Sequence, residues 1–212
     1  MVKNFSRFRL VFPWLIASLL LAFAGCATPS TRVLSHGPVY YGDRPVARVY
    51  VYIFMDMRPE YMPDAFRRVA SAKLAEALHS SGIPNEQLWF SDTAEGKMLQ
   101  ADIKSHTLTN TTFVSVGATI RENFQRDRAF APTHRLIVFP HETMKAANGA
   151  VFNVKWDVID TSTGNFEWSV YTQTPALSRS MDPAQAEAAA ASFVAAIIQE
   201  MQERNVIPRS KV

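Results

Sequence analysis

Residues Phe152 to Tyr171, FNVKWDVIDTSTGNFEWSVY, decide the fold. Phe152, Val154, Trp156 and Val158 alternate with Asn153, Lys155 and Asp157. After a polar break, Phe166, Trp168 and Val170 alternate with Glu167, Ser169 and Tyr171. A period of two belongs to a strand with one buried face, and Asp160-Thr161-Ser162-Thr163-Gly164 between the two runs is turn chemistry. A slip of one residue turns every side chain over, so only even-to-even pairing gathers both apolar sets on one side. A three-residue loop Ser162-Thr163-Gly164, with Gly164 left-handed, satisfies this and sets Val158 opposite Trp168 and Trp156 opposite Val170. Trp156 and Trp168 are therefore expected in the core, and Tyr171 on the accessible face.

Such an apolar face needs a cover, and the C-terminal segment supplies one. Asp182 suits an N-cap and Pro183 the first helical position. Ala186, Ala190, Phe193, Val194, Ile197, Ile198 and Met201 then form one stripe, with alanines small enough for close approach to a sheet. Gln185, Glu187, Gln199, Glu200, Glu203 and Arg204 argue against a bilayer span. Upstream, Val46–Met57 (VARVYVYIFMDM) has the β-branched and aromatic density of a strand buried on both faces, ended by Pro59 and Pro63. Asp64 to Ser81 carries Phe66, Val69, Ala70, Leu74, Ala77 and Leu78 at helical spacing. Gly82 follows as a left-handed cap, Ile83 as its apolar contact and Pro84 as the stop. Leu88-Trp89-Phe90 and Arg135–Phe139 (RLIVF) read as further strands. Between residues 92 and 130 two periods compete: Val114, Val116, Ala118 and Ile120 alternate, while Phe113, Val116, Ile120 and Phe124 fit a helix, and a helix near 113–127 is expected. The order predicts a single α/β (or α+β) domain: a mixed sheet with a C-terminal β-hairpin and two or three packed helices.

The N-terminal segment has another character. Lys3, Arg7 and Arg9 precede the apolar run Leu10–Ala24, LVFPWLIASLLLAFA, which is the pattern of a secretory signal. At about 1.5 Å per residue the run reaches only ~22 Å, short of the ~30 Å hydrocarbon core. It ends in Phe23-Ala24-Gly25-Cys26, which resembles the lipobox of bacterial lipoproteins, with Phe23 where that family usually has Leu. The resemblance implies a diacylglyceryl thioether on Cys26, cleavage just before it, and acylation of the new amine by a fatty acid such as palmitate. Ala27, in place of an inner-membrane-retaining Asp, implies the periplasmic face of the outer membrane in a Gram-negative host. The expected organisation is a signal peptide at 1–25, a lipidated tether at 26–45, the domain at 46–207 and a tail at 208–212. Within the tether, Val39, Tyr40 and Tyr41 are candidates to dock or to form an edge strand.

The formal charge of +3 belongs to the precursor. Of the 22 Lys and Arg, Lys3, Arg7 and Arg9 leave with the signal, and the remaining 19 equal the 19 Asp and Glu. Arg67-Arg68 and Arg126-Asp127-Arg128 are the densest basic spots, which excludes the footprint of a nucleic-acid binder. No phosphate loop, GxGxxG or GxSxG occurs, and His141-Glu142 lacks the second histidine of a zincin. His36, His79, His106, His134 and His141 share no metal-ligand spacing, so no metal or cofactor is expected. Asp56, Arg58 and Glu60, at the end of the first long strand, read as solvated charges. Tyr171, Arg67 and Arg68 are the candidate partner-contact residues.

The element order, with VIDTSTGNFEW at Val158–Trp168, resembles small periplasmic α/β lipoproteins: the penicillin-binding-protein activators, the curli secretion lipoprotein and the N-terminal domain of the Tol-system periplasmic protein. Transport-auxiliary lipoproteins share a similar arrangement. The resemblance implies a non-enzymatic, membrane-anchored lipoprotein that docks a protein partner in envelope assembly or transport; a small-molecule or lipid-binding auxiliary is the alternative. A docking protein should expose an aromatic or apolar patch and a carrier should enclose an apolar pocket. An enzyme should bring His134 or His141 to acidic groups in a cleft.

Overall fold

In the computed structural model the described residues are 30–37, 42, 44–54, 62–92, 98–105, 109–115, 125–147 and 149–209. Cys26, the export segment, Val39–Tyr41, Asp56, Arg58, Glu60 and His106 lie outside them. In chain order the elements are β1 (Arg32–His36), β2 (Val49–Ile53), α1 (Asp64–Ser80), β3 (Asn85–Asp92), β4 (Met98–Ser105), β5 (Thr109–Ser115), α2 (125–130), β6 (His134–Ala146), β7 (Gly149–Asp160), β8 (Phe166–Gln173) and α3 (Pro183–Glu203). All eight strands form one mixed sheet in the order β1-β8-β7-β6-β2-β3-β4-β5. This is the expected single α/β domain.

β2 sits mid-sheet, parallel to both β3 and β6, and all five of its residues are buried. Central parallel pairing leaves no face for water, which is why VYVYI is continuously apolar or aromatic. β7 and β8 pair with Trp156 opposite Val170 and Val158 opposite Trp168, and Gly164 is left-handed at φ 74°. The even-numbered side chains Phe152, Val154, Trp156, Val158, Trp168 and Val170 are all buried.

Both long helices pack on this face. The Phe193 ring of α3 lies 4.9 Å from that of Trp156 and 5.6 Å from that of Phe66 on α1. The Asp182 carboxylate accepts from the Ala184 N–H at 2.8 Å, with Pro183 in the first turn. α1 closes on Gly82 at φ 78°, where the Ile83 N–H donates to the Leu78 carbonyl at 2.9 Å and the Ile83 side chain is buried. α2 lies on the opposite face, where Phe130 packs against Tyr50, Tyr52 and Leu88.

Three expectations are corrected. The helix expected near 113–127 does not begin where expected: Thr109–Ser115 is strand β5, antiparallel to β4, residues 125–130 are helical, and 116–124 lie outside the described residues. Ladder partners override local periodicity in such a segment. Second, Arg32–His36, within the span assigned to the tether, is an edge strand paired to β8. Its five residues are all exposed, so backbone pairing rather than side-chain burial holds it, and composition gives no sign of that. Third, simple alternation puts Phe166 beside Trp168 on the core face, and it is not there. A register shift between Val158 and Ile159 sets Ile159 opposite Phe166 and releases the ring, which is 61 % exposed and 5.6 Å from the Lys155 ammonium on the other face. One extra residue in a ladder re-aims a side chain in this way.

Phe193 is the point where both helices and the sheet meet. Phe193→Ala should lower stability by about 3–5 kcal/mol through lost transfer energy and a cavity, read as a reduced urea midpoint with unchanged slope.

Candidate functional site

Three adjacent strands bring one titratable cluster together. His134 opens β6, Asp160 closes β7 as its cross-strand partner, and Glu167 lies one residue into β8. His134 Nε2 stands 2.9 Å from Glu167 Oε2 and 3.8 Å from Asp160 Oδ2, with the imidazole fully buried. Asp160, Glu167, Arg44, Ser162, Thr163, Asn165 and Phe166 line an open cleft of about 530 Å³.

The Asp160-Thr-Ser-Thr-Gly164 sequence builds the floor of this cleft. Asp160 Oδ1 accepts from the Ser162 hydroxyl, from the Ser162 N–H at 2.6 Å and from the Thr163 N–H at 3.0 Å. These bonds, led by the Ser162 hydroxyl, hold the Asp160 carboxyl down at about 2. Hydrogen bonds to the charged form favour it.

The proton on His134 follows from counting donors. The Thr133 hydroxyl oxygen accepts from the Ala47 N–H at 3.1 Å and the Arg48 N–H at 3.0 Å, which occupies both lone pairs. Its own proton is then available to His134 Nδ1, 3.0 Å away, or to the Arg48 carbonyl, also 3.0 Å away. With Nδ1 as acceptor, Nε2 carries the hydrogen and donates to Glu167. The imidazole thus clamps the start of β6 to the start of β8.

His134, Asp160 and Glu167 are the described residues that could hold a cation, since their ligand atoms lie within 4.8 Å of one another. Ligation through Nε2 would move the proton to Nδ1, against a Thr133 oxygen that already has two donors. The geometry suits a hydrogen-bonded clamp better than a coordination sphere.

The partner-contact candidates do not converge. Tyr171 is half-buried on the open sheet face, edge-on to His141 at 5.2 Å and 5.9 Å from the Lys155 ammonium, which also stands over Phe139. Arg67 and Arg68 lie on α1, across the sheet. Arg67 is 3.6 Å from Asp64, and Arg68 reaches Glu187 of α3 at 3.9 Å, so Arg68 joins the two helices. A second polar group lies under α2, where Asp127 accepts from the Tyr52 hydroxyl at 2.9 Å and from Arg135 Nε at 2.7 Å. Burial, then the bond to Asp127, pushes the Tyr52 phenol far above its usual range.

His134 thus meets acidic groups beside a cleft, the arrangement named above for an enzyme, but these acids are far from it in sequence and sequence reasoning did not name Asp160 or Glu167 as its partners. The only signal was the Asp-Thr-Ser turn; the β6–β7 register brings His134 to it.

No protein-family model matches the chain, and no curated protein does. Among solved structures, the chain is similar to the PelC dodecamer from Paraburkholderia phytofirmans, at 18 % identity over 80 % of this chain and 96 % of that one, with a TM-score of 0.38. It is also similar to a point-substituted form of the PelC dodecamer from the same organism, at 15 % identity over 78 % and 96 %, with a TM-score of 0.37. The lipoprotein GNA1162 from Neisseria meningitidis aligns at 14 % identity over 74 % and 99 %, with a TM-score of 0.35.

Two outcomes test the cluster. The carboxyl of Asp160 is held below its ordinary 3.8, so its contribution is present above that pH and is lost as pH falls toward about 2. Asp160→Asn should flatten the fall in stability across that window, measured by urea unfolding at stepped pH. His134→Ala should cost about 1–3 kcal/mol by leaving Glu167 without its donor, whereas Glu167→Gln, which keeps an acceptor, should cost less.

Proposed function

We propose that this chain is a lipid-anchored envelope protein whose domain is a non-enzymatic docking module, with the tip of the sheet around Phe166 as the partner surface. The observation that carries the reading is the placement of that exposed ring at the end of β8 farthest from where the chain arrives. Arg32 of β1 pairs with Gln173 at one end of β8 and Phe166 lies at the other, about 23 Å away at ~3.3 Å per residue. An anchor on Cys26 would therefore enter at one pole and leave Phe166 and the cleft at the pole facing away from the membrane.

The side chains at that tip suit recognition of another protein. Phe166 supplies an apolar anchor, flanked by Arg44, Asn165 and Glu167, and aromatic residues ringed by polar groups concentrate binding energy. The cleft is open to solvent rather than enclosed, which fits a small-molecule carrier less well. Both nitrogens of His134 have partners and its ring is fully buried, which favours a structural clamp over a general base. Location at the periplasmic face of the outer membrane follows from the lipobox resemblance and Ala27.

Two measurements test this. Cys26→Ser should abolish incorporation of labelled palmitate and remove the protein from the sedimented membrane fraction; palmitate-free wild-type protein would refute the anchor. Crosslinking in intact envelopes should capture a specific protein partner. Phe166→Ala, which removes a ring worth about 1.5–3 kcal/mol when buried, should weaken capture roughly ten- to hundredfold while leaving the urea midpoint unchanged. Unaltered capture would move the surface elsewhere.

A further inference from the structure

We infer that the edge strand β1 is seated on the bilayer that holds the anchor, with Leu34 and Val33 in the interface and Arg32 among the lipid phosphates. The inference rests on Cys26 being lipidated and adds the orientation of the domain. Five residue steps separate Cys26 from Thr31, and a trans chain covers at most about 3.6 Å per step, or ~18 Å in all. Thr31 is already part of the fold: its N–H donates to the Ser192 hydroxyl of α3 at 2.8 Å, and β1 begins at the next residue. The tether expected over 26–45 is thus shortened to a leash of these few residues, which keeps this corner of the domain at the lipid surface.

What the leash delivers there is suited to lipid. Leu34 is 49 % and Val33 37 % exposed, two of the four large apolar side chains exposed among the described residues. Arg32 beside them is exposed and has no ion-pair partner among the described residues. Its long stem can lie along apolar surface while the guanidinium reaches phosphate.

An edge strand with bulky apolar side chains could instead pair with a second copy. Against that, the ladder to β8 shifts register between Val33 and Ser35, placing an irregularity at Leu34, and such irregularities hinder edge-to-edge pairing. The elements at this end carry four cations, Arg67, Arg68, Lys145 and Arg179, and four acids, Asp64, Glu142, Asp182 and Glu187, while Glu200 of α3 is already held by His36 of β1 at 2.8 Å and Arg204 at 2.9 Å. Apolar contact and the leash, not a charged field, set the orientation.

The test uses the full, acylated protein in vesicles of phosphatidylethanolamine and phosphatidylglycerol. Because Cys26 would be consumed as a thioether, Leu34→Cys gives one free thiol for an environment-sensitive fluorophore. A nitroxide lipid labelled near the headgroup should quench most of its emission. The same label at Ser35→Cys, which keeps Leu34, should also be quenched strongly, and at Asn165→Cys at the tip only weakly. Quenching at 34 and 35 no greater than at 165, with the acyl mass confirmed by mass spectrometry, overturns the seating alone; absence of the acyl mass overturns the anchor reading too. Excimer emission between pyrene labels at position 34, rising with protein-to-lipid ratio, would put a second copy on the edge and also overturn the seating.

Discussion

The rest of the structure depends on the parity of the β7–β8 ladder. Even residues facing even residues gather Phe152, Val154, Trp156, Val158, Trp168 and Val170 into one buried surface, and an odd offset through the same segment would split it. That surface explains the alanine-rich start of α3: Ala186, Ala189 and Ala190 are fully buried, and small side chains let the helix come close enough for Phe193 to reach both Trp156 and Phe66. α1 is thereby fixed as well, and Arg68 to Glu187 links the two helices near their N-terminal ends.

The same ladder loses its parity at one point, between Val158 and Ile159. Beyond it Phe166 leaves the core for solvent and Glu167 lies against His134. The irregularity thus separates the apolar half of the hairpin from a polar tip. At the tip, the Thr133 hydroxyl, His134, Glu167 and Asp160 with its turn satisfy one another across three strands. A buried polar set stiffens a fold only when its members are paired, and the N–H groups of Ala47 and Arg48 complete this one from the segment leading into β2.

These features give the domain two unlike poles. One carries the arriving chain, the β1 edge and the first turns of both long helices; the other carries the cleft and an exposed aromatic ring. Sheet length alone separates them, because β8 runs from one to the other.

Much of this was legible in the sequence wherever burial follows local period. The hairpin pairing, the Gly164 turn, the Asp182 cap, the α1 stop at Gly82 and the buried β2 each rest on residues within a few positions of one another, so their chemistry is local. The tertiary structure alone decided the remainder. Strand β1 is exposed along its whole length and exists only because β8 offers a ladder edge; β5 is a strand because β4 pairs with it. Phe166 escaped the core through an irregularity that leaves no mark on composition. His134 met Asp160 and Glu167 through a register spanning some 30 residues of chain. Pairing energies between distant strands are sums over many contacts, and no single stretch of sequence contains them.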